Sequence, residues 1–150
     1  MSGMTPWTEL LGETLLTKDG EKPTAAALAG KKVVGLYFSA QWCAPCRTFT
    51  PLLSTTYEDM VEAHPDFELV FVSSDRKQAP FDEYCAEIPF PALPFARRDL
   101  EYELKHKFDV PGIPSLVFLN DEDEIITFDG CGLVAQANGD VEHIWEELTK

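Results

Sequence analysis

Basic residues are scarce in this chain. Its 150 residues hold 12 Lys and Arg against 26 Asp and Glu, a formal charge of −14. Such a surface repels a phosphate backbone and an anionic membrane leaflet, so nucleic acid and membrane are set aside as partners. The sign favours a partner with a basic patch, although acidity is also a common route to solubility. Cysteine is sparse as well: four residues are too few for a disulfide scaffold. A domain of this length buries roughly 68–70% of its unfolded surface, so it needs no metal or disulfide staple to fold. No stretch approaches the roughly 18 apolar residues of a membrane span. Residues 1–13 show neither a positive n-region nor an apolar h-region. With few cysteines, that absence leads to the expectation of a reducing, cytoplasmic setting, with the nucleus also open. Internal repeats, low-complexity tracts and Gly/Ser linkers are missing too, so one domain over residues 1–150 is expected.

What is present has an ordinary globular balance, 45% hydrophobic and 25% charged. The stretch 10–17 (LLGETLLT) reads as the start of a short hairpin, with Asp19-Gly20 as turn chemistry. A short Ala-rich helix over 24–29 is closed by Gly30. The run VVGLYFS at 33–39 is apolar and aromatic nearly throughout, as in a strand covered on both faces. The period then changes, and Phe49, Leu52, Leu53, Thr56, Tyr57 and Met60 recur at helical spacing over 44–63, with Pro51 expected to kink the helix. A second buried strand is expected at 67–73, a short helix at 80–87 and a proline-rich extended loop at 88–96. A helix over 99–108 takes Asp99 as N-cap. Strands at 115–119 and 125–128 flank the acidic turn 120–124, and an amphipathic helix over 141–148 closes the chain. This order predicts a mixed sheet with helices on both faces.

The chemistry concentrates at Cys43-Ala44-Pro45-Cys46, between the first buried strand and the long helix. Residues i and i+3 of a helix are neighbours, the separation that a disulfide needs. Cys43 falls at the helix N-terminus, where free N–H groups and the dipole favour a thiolate. Cys46 lies one turn in and is expected to be less exposed. Cys43 is therefore expected to attack a substrate disulfide and Cys46 to resolve the mixed disulfide. The competing readings are a zinc half-site or two ordinary core thiols. Zinc needs four ligands, and no second CxxC exists; Cys85, Cys131, His64, His106 and His143 are scattered singly. Haem attachment is excluded because Arg47, not His, follows Cys46.

The stretch YFSAQWCAPCRTFTP at 37–51 resembles the thioredoxin superfamily, and within it the tryparedoxins and nucleoredoxin-like proteins. The resemblance continues through FVSSD at 71–75, ALPF at 92–95 and FDVPGIPSLVFL at 108–119. It implies an α/β thioredoxin fold, a central mixed β-sheet flanked by helices on both faces. It also implies dithiol–disulfide exchange with no bound cofactor. The partners implied are disulfide-containing proteins such as peroxiredoxins, and a low-molecular-weight dithiol or a reductase as electron donor. The chain is expected to act as a monomer. A redox-sensitive interaction module with little turnover is the alternative.

The resemblance further implies a cis peptide bond at Ile113-Pro114, with the Ile113 backbone facing the cysteine pair to pair with an extended substrate segment. Trp42 becomes an exposed platform beside Cys43. Tyr37 stands where thioredoxins proper have a buried Asp, so proton handling at the resolving thiol must differ. Arg47 either adds positive potential near Cys43 or is a solvated first-turn charge. Three departures stand out: CAPC replaces CPPC, IPF at 88–90 replaces a Met-Pro-Trp segment, and Cys131 replaces an Arg at the groove rim. The last weakens the expectation of trypanothione-type recognition and places a third thiol near the pair, either as a regulatory or glutathionylation site or as an inert loop cysteine. Cys85 is read as core, the three histidines as solvated, and the run 121–124 as a solvated turn without calcium-loop spacing.

Overall fold

The structure, a computed structural model, describes residues 6–150. Four strands form the main sheet: β3 (Val33–Ser39), β4 (Phe67–Ser73), β5 (Ser115–Asn120) and β6 (Ile125–Thr127), in the order β4-β3-β5-β6. The β3–β4 pair is parallel, and β5 runs antiparallel to both β3 and β6. A parallel pair needs a crossover, which the 20-residue helix α3 (Ala44–Ala63) supplies. The mixed sheet predicted from the element order is therefore present.

Every residue of β3 is buried, which explains its uninterrupted apolar run. The strand period of two splits the core into two clusters. Val33, Tyr37, Phe71, Leu116 and Phe118 face α3, α4 (Gln78–Glu87), α6 (Gly130–Ala137) and α7 (Val141–Thr149). Val34, Leu36, Phe38, Val70 and Val117 face α1 (Pro6–Leu11), α2 (Thr24–Ala27) and α5 (Arg98–Lys107). Each large apolar side chain so buried contributes roughly 1.5–3 kcal/mol. Gly35 has no room for a side chain, because a Cβ would sit 2.6 Å from Leu69 and 2.8 Å from Phe118.

Several sequence expectations are corrected. Leu10 and Leu11 belong to α1, not to the hairpin, which is β1 (Thr14–Thr17) against β2 (Gly20–Pro23). The stretch 88–96 is not free loop: Ala92 exchanges backbone hydrogen bonds with Leu16, and Pro91 and Leu93 bond Phe71, stitching the hairpin to the sheet. Asp99 is not the N-cap of α5; it lies in the first turn, paired with Arg97 at 2.9 Å. The expected kink leaves α3 a single helix, with Pro51 inside it. Cys131 lies on α6, not in a loop. That helix is capped by the Asp129 side chain, which accepts from the Gly132 N–H at 3.1 Å. Glycine at 130 lets α6 meet the sheet, since a Cβ there would stand 2.6 Å from the Leu116 carbonyl oxygen. His64 is not merely solvated: its ring stacks on Trp145 at 4.3 Å and meets the Glu142 carboxylate at 3.0 Å. His106 and His143 are exposed, as expected.

Candidate active site

Strand β3 ends at Ser39 and the chain turns through Ala40, Gln41 and Trp42 into α3. The turn is held at both ends. The Cys43 N–H donates to the Ala40 carbonyl at 3.2 Å, and the Gln41 N–H donates to the buried Asp75 carboxylate at 3.0 Å. Asp75 is fixed in turn by the Ser73 hydroxyl at 2.7 Å. Sequence reasoning missed Asp75, although its place two residues beyond the end of β4 is the position from which it reaches the neighbouring turn.

Cys43 is the N-cap of α3. Its sulfur accepts from the Cys46 N–H at 3.3 Å and lies 3.8 Å from the Ile113 carbonyl oxygen. Helix N-termini hold anions in this way, with unpaired amide hydrogens aimed at the charge. Pro45, in the first turn, gives up an N–H that no helical carbonyl would have received. Cys43 keeps 6% of its surface exposed and Cys46 none. Both thiols are free. Burial first, and then the Cys43 contact, push the Cys46 thiol up to about 11.

The Ile113-Pro114 peptide bond is cis, as the resemblance implies. Ile113 packs against Ala40, Cys43 and Cys46. Two clefts flank this loop. One, of about 600 Å³, runs from Trp42 past Arg76, Arg98 and Lys105 to Ile113. The other, of about 430 Å³, is lined by Pro114, Phe128 and Cys131 among others. Trp42 is 61% exposed and Phe128 57%, so the groove is bordered by two open aromatic faces. Phe128 was not singled out in the sequence; an apolar residue at a strand end gives no sign of its exposure.

Cys131 is half-buried beside Pro114. Burial, and then the nearby Asp129 carboxylate, push its thiol up to about 12. Cys85, on α4, is also half-buried and is pushed up to about 12 by burial and Asp82. Arg47 is exposed and borders a separate cleft. Tyr37 is fully buried beneath α3, and burial raises its phenol far above the ordinary range. Among the described residues, no group of three or more His, Cys, Asp or Glu side chains could hold a metal ion. No helix among them is long and apolar enough to cross a membrane.

A thioredoxin-like family model matches residues 30–125, the span that carries both the cysteine pair and the cis-proline loop. The chain belongs to the thioredoxin-like family. Tryparedoxin of Trypanosoma brucei brucei is 44% identical over 121 residues, 80% of this chain and 81% of that protein. Probable nucleoredoxin 1 of Arabidopsis thaliana is 41% identical over 136 residues, 91% of this chain but 23% of the relative. The chain thus spans under a third of the nucleoredoxins it matches, which are 23% covered in Arabidopsis and 29% in mouse. The solved tryparedoxin from Trypanosoma brucei superposes with a TM-score of 0.84 at 37% identity, covering 97% of this chain and 99% of that one. The family carries the thioredoxin fold, a mixed central sheet flanked by helices. The tryparedoxin and nucleoredoxin homologues are dithiol oxidoreductases.

Proposed function

We propose that this chain is a thiol–disulfide oxidoreductase that reduces disulfide bonds in other proteins. The observation that carries this reading is the position of Cys43. Its sulfur caps a helix, receives a backbone N–H at 3.3 Å and lies 3.8 Å from the carbonyl of Ile113, a residue that lines an open groove, with a second thiol one turn behind it. Cys43, as thiolate, attacks one sulfur of the substrate disulfide. The other substrate sulfur leaves as thiolate, and Cys43 is joined to the substrate as a mixed disulfide. Cys46 then loses its proton and attacks the Cys43 sulfur. The mixed disulfide breaks, the second substrate sulfur leaves, and a Cys43–Cys46 bond remains. Two electrons pass from the dithiol to the substrate, and no bound cofactor takes part.

Trp42 and the Ile113-Pro114 segment are the substrate-binding residues in this reading. An extended segment of the partner lies in the groove and pairs with the Ile113 backbone by strand addition. Tyr37 and Arg47 support the pair, one beneath Cys46 and one on the exposed first turn. The upstream donor is a low-molecular-weight dithiol or a reductase, and peroxiredoxins are the substrate class the tryparedoxin likeness favours. A neighbouring structure, tryparedoxin II complexed with glutathionylspermidine, supports a low-molecular-weight thiol compound as the donor. The chain acts as one monomeric domain, in a reducing compartment such as cytoplasm or nucleus. Glutathionylation at Cys131 is disfavoured by its raised pKa, because the thiolate is the reactive form.

Reduction of insulin disulfides tests the reading. Brisk turnover that vanishes in Cys43→Ser is expected. Partner binding that survives Cys43→Ser and Cys46→Ser, with no turnover in the unmodified protein, would make the chain an interaction module instead.

A further inference from the structure

Two clefts meet at Trp42, and their lining departs from the charge of the chain as a whole. One runs from Trp42 to Ile113; the other, of about 360 Å³, is bordered by Trp42 and Pro80. Together they are lined by four cations, Arg76, Lys77, Arg98 and Lys105, against two anions, Asp75 and Glu101, in a chain of net −14. Both anions are already engaged. The buried Asp75 carboxylate accepts from the Gln41 N–H at 3.0 Å and from the Ser73 hydroxyl at 2.7 Å, and Glu101 pairs with Lys105 at 2.8 Å. Arg98 is a fixed charge: its Nη1 donates to the Ser73 carbonyl at 2.7 Å and the Asp75 carbonyl at 3.1 Å, and its guanidinium lies 4.4 Å from the centre of the Phe95 ring. Arg76 and Lys77 are exposed, and among the described residues neither side chain makes a hydrogen bond or an ion pair.

The contacts that place Arg76 are those that shape the active-site turn. Asp75 ties the end of β4 to Gln41, so Arg76, the next residue, is held beside Trp42. The other flank of the cis-proline loop has the opposite sign. Its cleft shares Val110 and Pro111 with the first, and it is lined by Asp109 and Asp129 and by no cation. A substrate segment laid across Ile113 therefore meets cations on one side and carboxylates on the other. At 0.15 M salt charges are screened over about 8 Å, so these neighbours outweigh the net charge of the distant surface. Charges at the rim of a groove decide which partner fits, both by attracting one sequence and by repelling another.

We propose that the groove selects disulfides by the charges around them. The segment whose sulfur bonds to Cys43 carries acidic residues on the side facing Trp42, where Arg76 and Lys77 hold them, and none on the side facing Asp109 and Asp129. The occupant is an acidic segment of a disulfide-bearing protein. A neutral segment leaves Arg76 without a partner, and a segment laid in the reverse direction sets its carboxylates against Asp109 and Asp129. The inference names the substrate class of the proposed reaction and rests on the reading of Cys43 as the attacking thiol.

The test uses the full chain, reduced, and synthetic peptides with one cysteine activated as a 2-thiopyridyl mixed disulfide. Attack by Cys43 on the peptide sulfur forms the Cys43–peptide disulfide and releases 2-thiopyridone, followed by stopped-flow absorbance. Two Glu stand before the cysteine in one peptide and after it in another, and Gln replaces them in a third. Each rate is divided by that with dithiothreitol, which removes the peptide's own reactivity. At 0.15 M salt one Glu placement is expected to react about fivefold faster than the Gln peptide, the upper end of what an exposed ion pair contributes, and the other no faster. The gain should vanish at 1 M salt, where screening acts within about 3 Å. Arg76→Glu should abolish the gain, and Lys77→Glu should lower it. Lys32→Glu, the same change of charge at the opposite end of β3, should leave it within twofold. Neither placement gaining more than twofold, both gaining equally, or a full gain in Arg76→Glu would overturn the selection while leaving the reading of Cys43 intact. Release by Cys43→Ser as fast as by the unmodified protein would instead overturn that reading, and the selection with it.

Discussion

Four free thiols occupy two kinds of place in this molecule. Cys43 and Cys46 sit at the head of α3, one capping the helix and the other a turn inside it. Cys85 and Cys131 lie half-buried on α4 and α6, each pushed up to about 12 by burial and a nearby carboxylate. The contrast is not simply one of exposure, since Cys43, at 6%, is more buried than Cys85 or Cys131. It lies in what each sulfur touches. Cys43 receives a backbone N–H and lies beside the Ile113 carbonyl, whereas Cys131 faces Asp129 and lines a cleft. In the proposed reading, position at a helix N-terminus, rather than residue type or accessibility, separates a working thiol from an inert one.

The comparison breaks first on turnover. Cys43→Ser should reduce insulin-disulfide reduction to the uncatalysed background, while Cys85→Ser and Cys131→Ser remain within twofold of the unmodified protein. Activity lost equally in Cys131→Ser would place a third sulfur in the electron path. Chemical labelling sharpens the same divide. With a thiol pKa of about 12, only about one molecule in ten thousand carries thiolate at pH 8. Brief treatment of the native, reduced protein with iodoacetamide should therefore mark Cys43 and leave Cys85 and Cys131 unlabelled by mass spectrometry.

Stability should follow pH with a defined sign. The thiols of Cys46, Cys85 and Cys131 are raised in the folded state to between about 11 and about 12, from ordinary values near 9.0. Above pH 9 the unfolded chain sheds these protons and the folded chain keeps them. Their contribution is thus fully present below pH 9 and is lost as pH climbs through 11 to 12. Urea midpoints measured at pH 8 and pH 10.5 should fall at the higher pH, and the fall should shrink in a Cys85→Ala, Cys131→Ala double variant. The smallest effect is on packing: Cys131→Ala at neutral pH should cost about 1 kcal/mol by denaturant titration, as loss of a small, partly buried group does.

The central strand and the helix after it were legible because their signals are local. The run 33–39 is apolar since both sheet faces are covered, and the period of α3 follows from one buried side. The cysteine pair was legible for the same reason, its spacing and its place at a helix start lying within four consecutive residues. Helix α6 was hidden by its own first turn, Gly130-Cys131-Gly132, which reads as loop. Only the Asp129 cap and the need to approach Leu116 without a Cβ explain those glycines. The pairing of Ala92 with Leu16 spans far too much chain for any local pattern to reveal. The hydrogen-bonded hydroxyls of Tyr37, Ser39, Thr50 and Tyr84 were the least legible part. Ser39, Thr50 and Tyr84 come from three elements and look ordinary singly. The alternation of Tyr37 and Ser39 along β3, and the i+4 step from Cys46 to Thr50, were the traces a sequence could offer.

Trapping with Cys46→Ser tests most directly the claim that Cys43 attacks the substrate disulfide and Cys46 resolves the mixed disulfide. The variant, reduced and mixed with a disulfide-bearing protein, should accumulate a complex that dissolves on adding dithiothreitol. Peptide mapping should place the joining sulfur at Cys43. A complex joined through Cys85 or Cys131, or none forming while the unmodified protein turns over, would contradict the account.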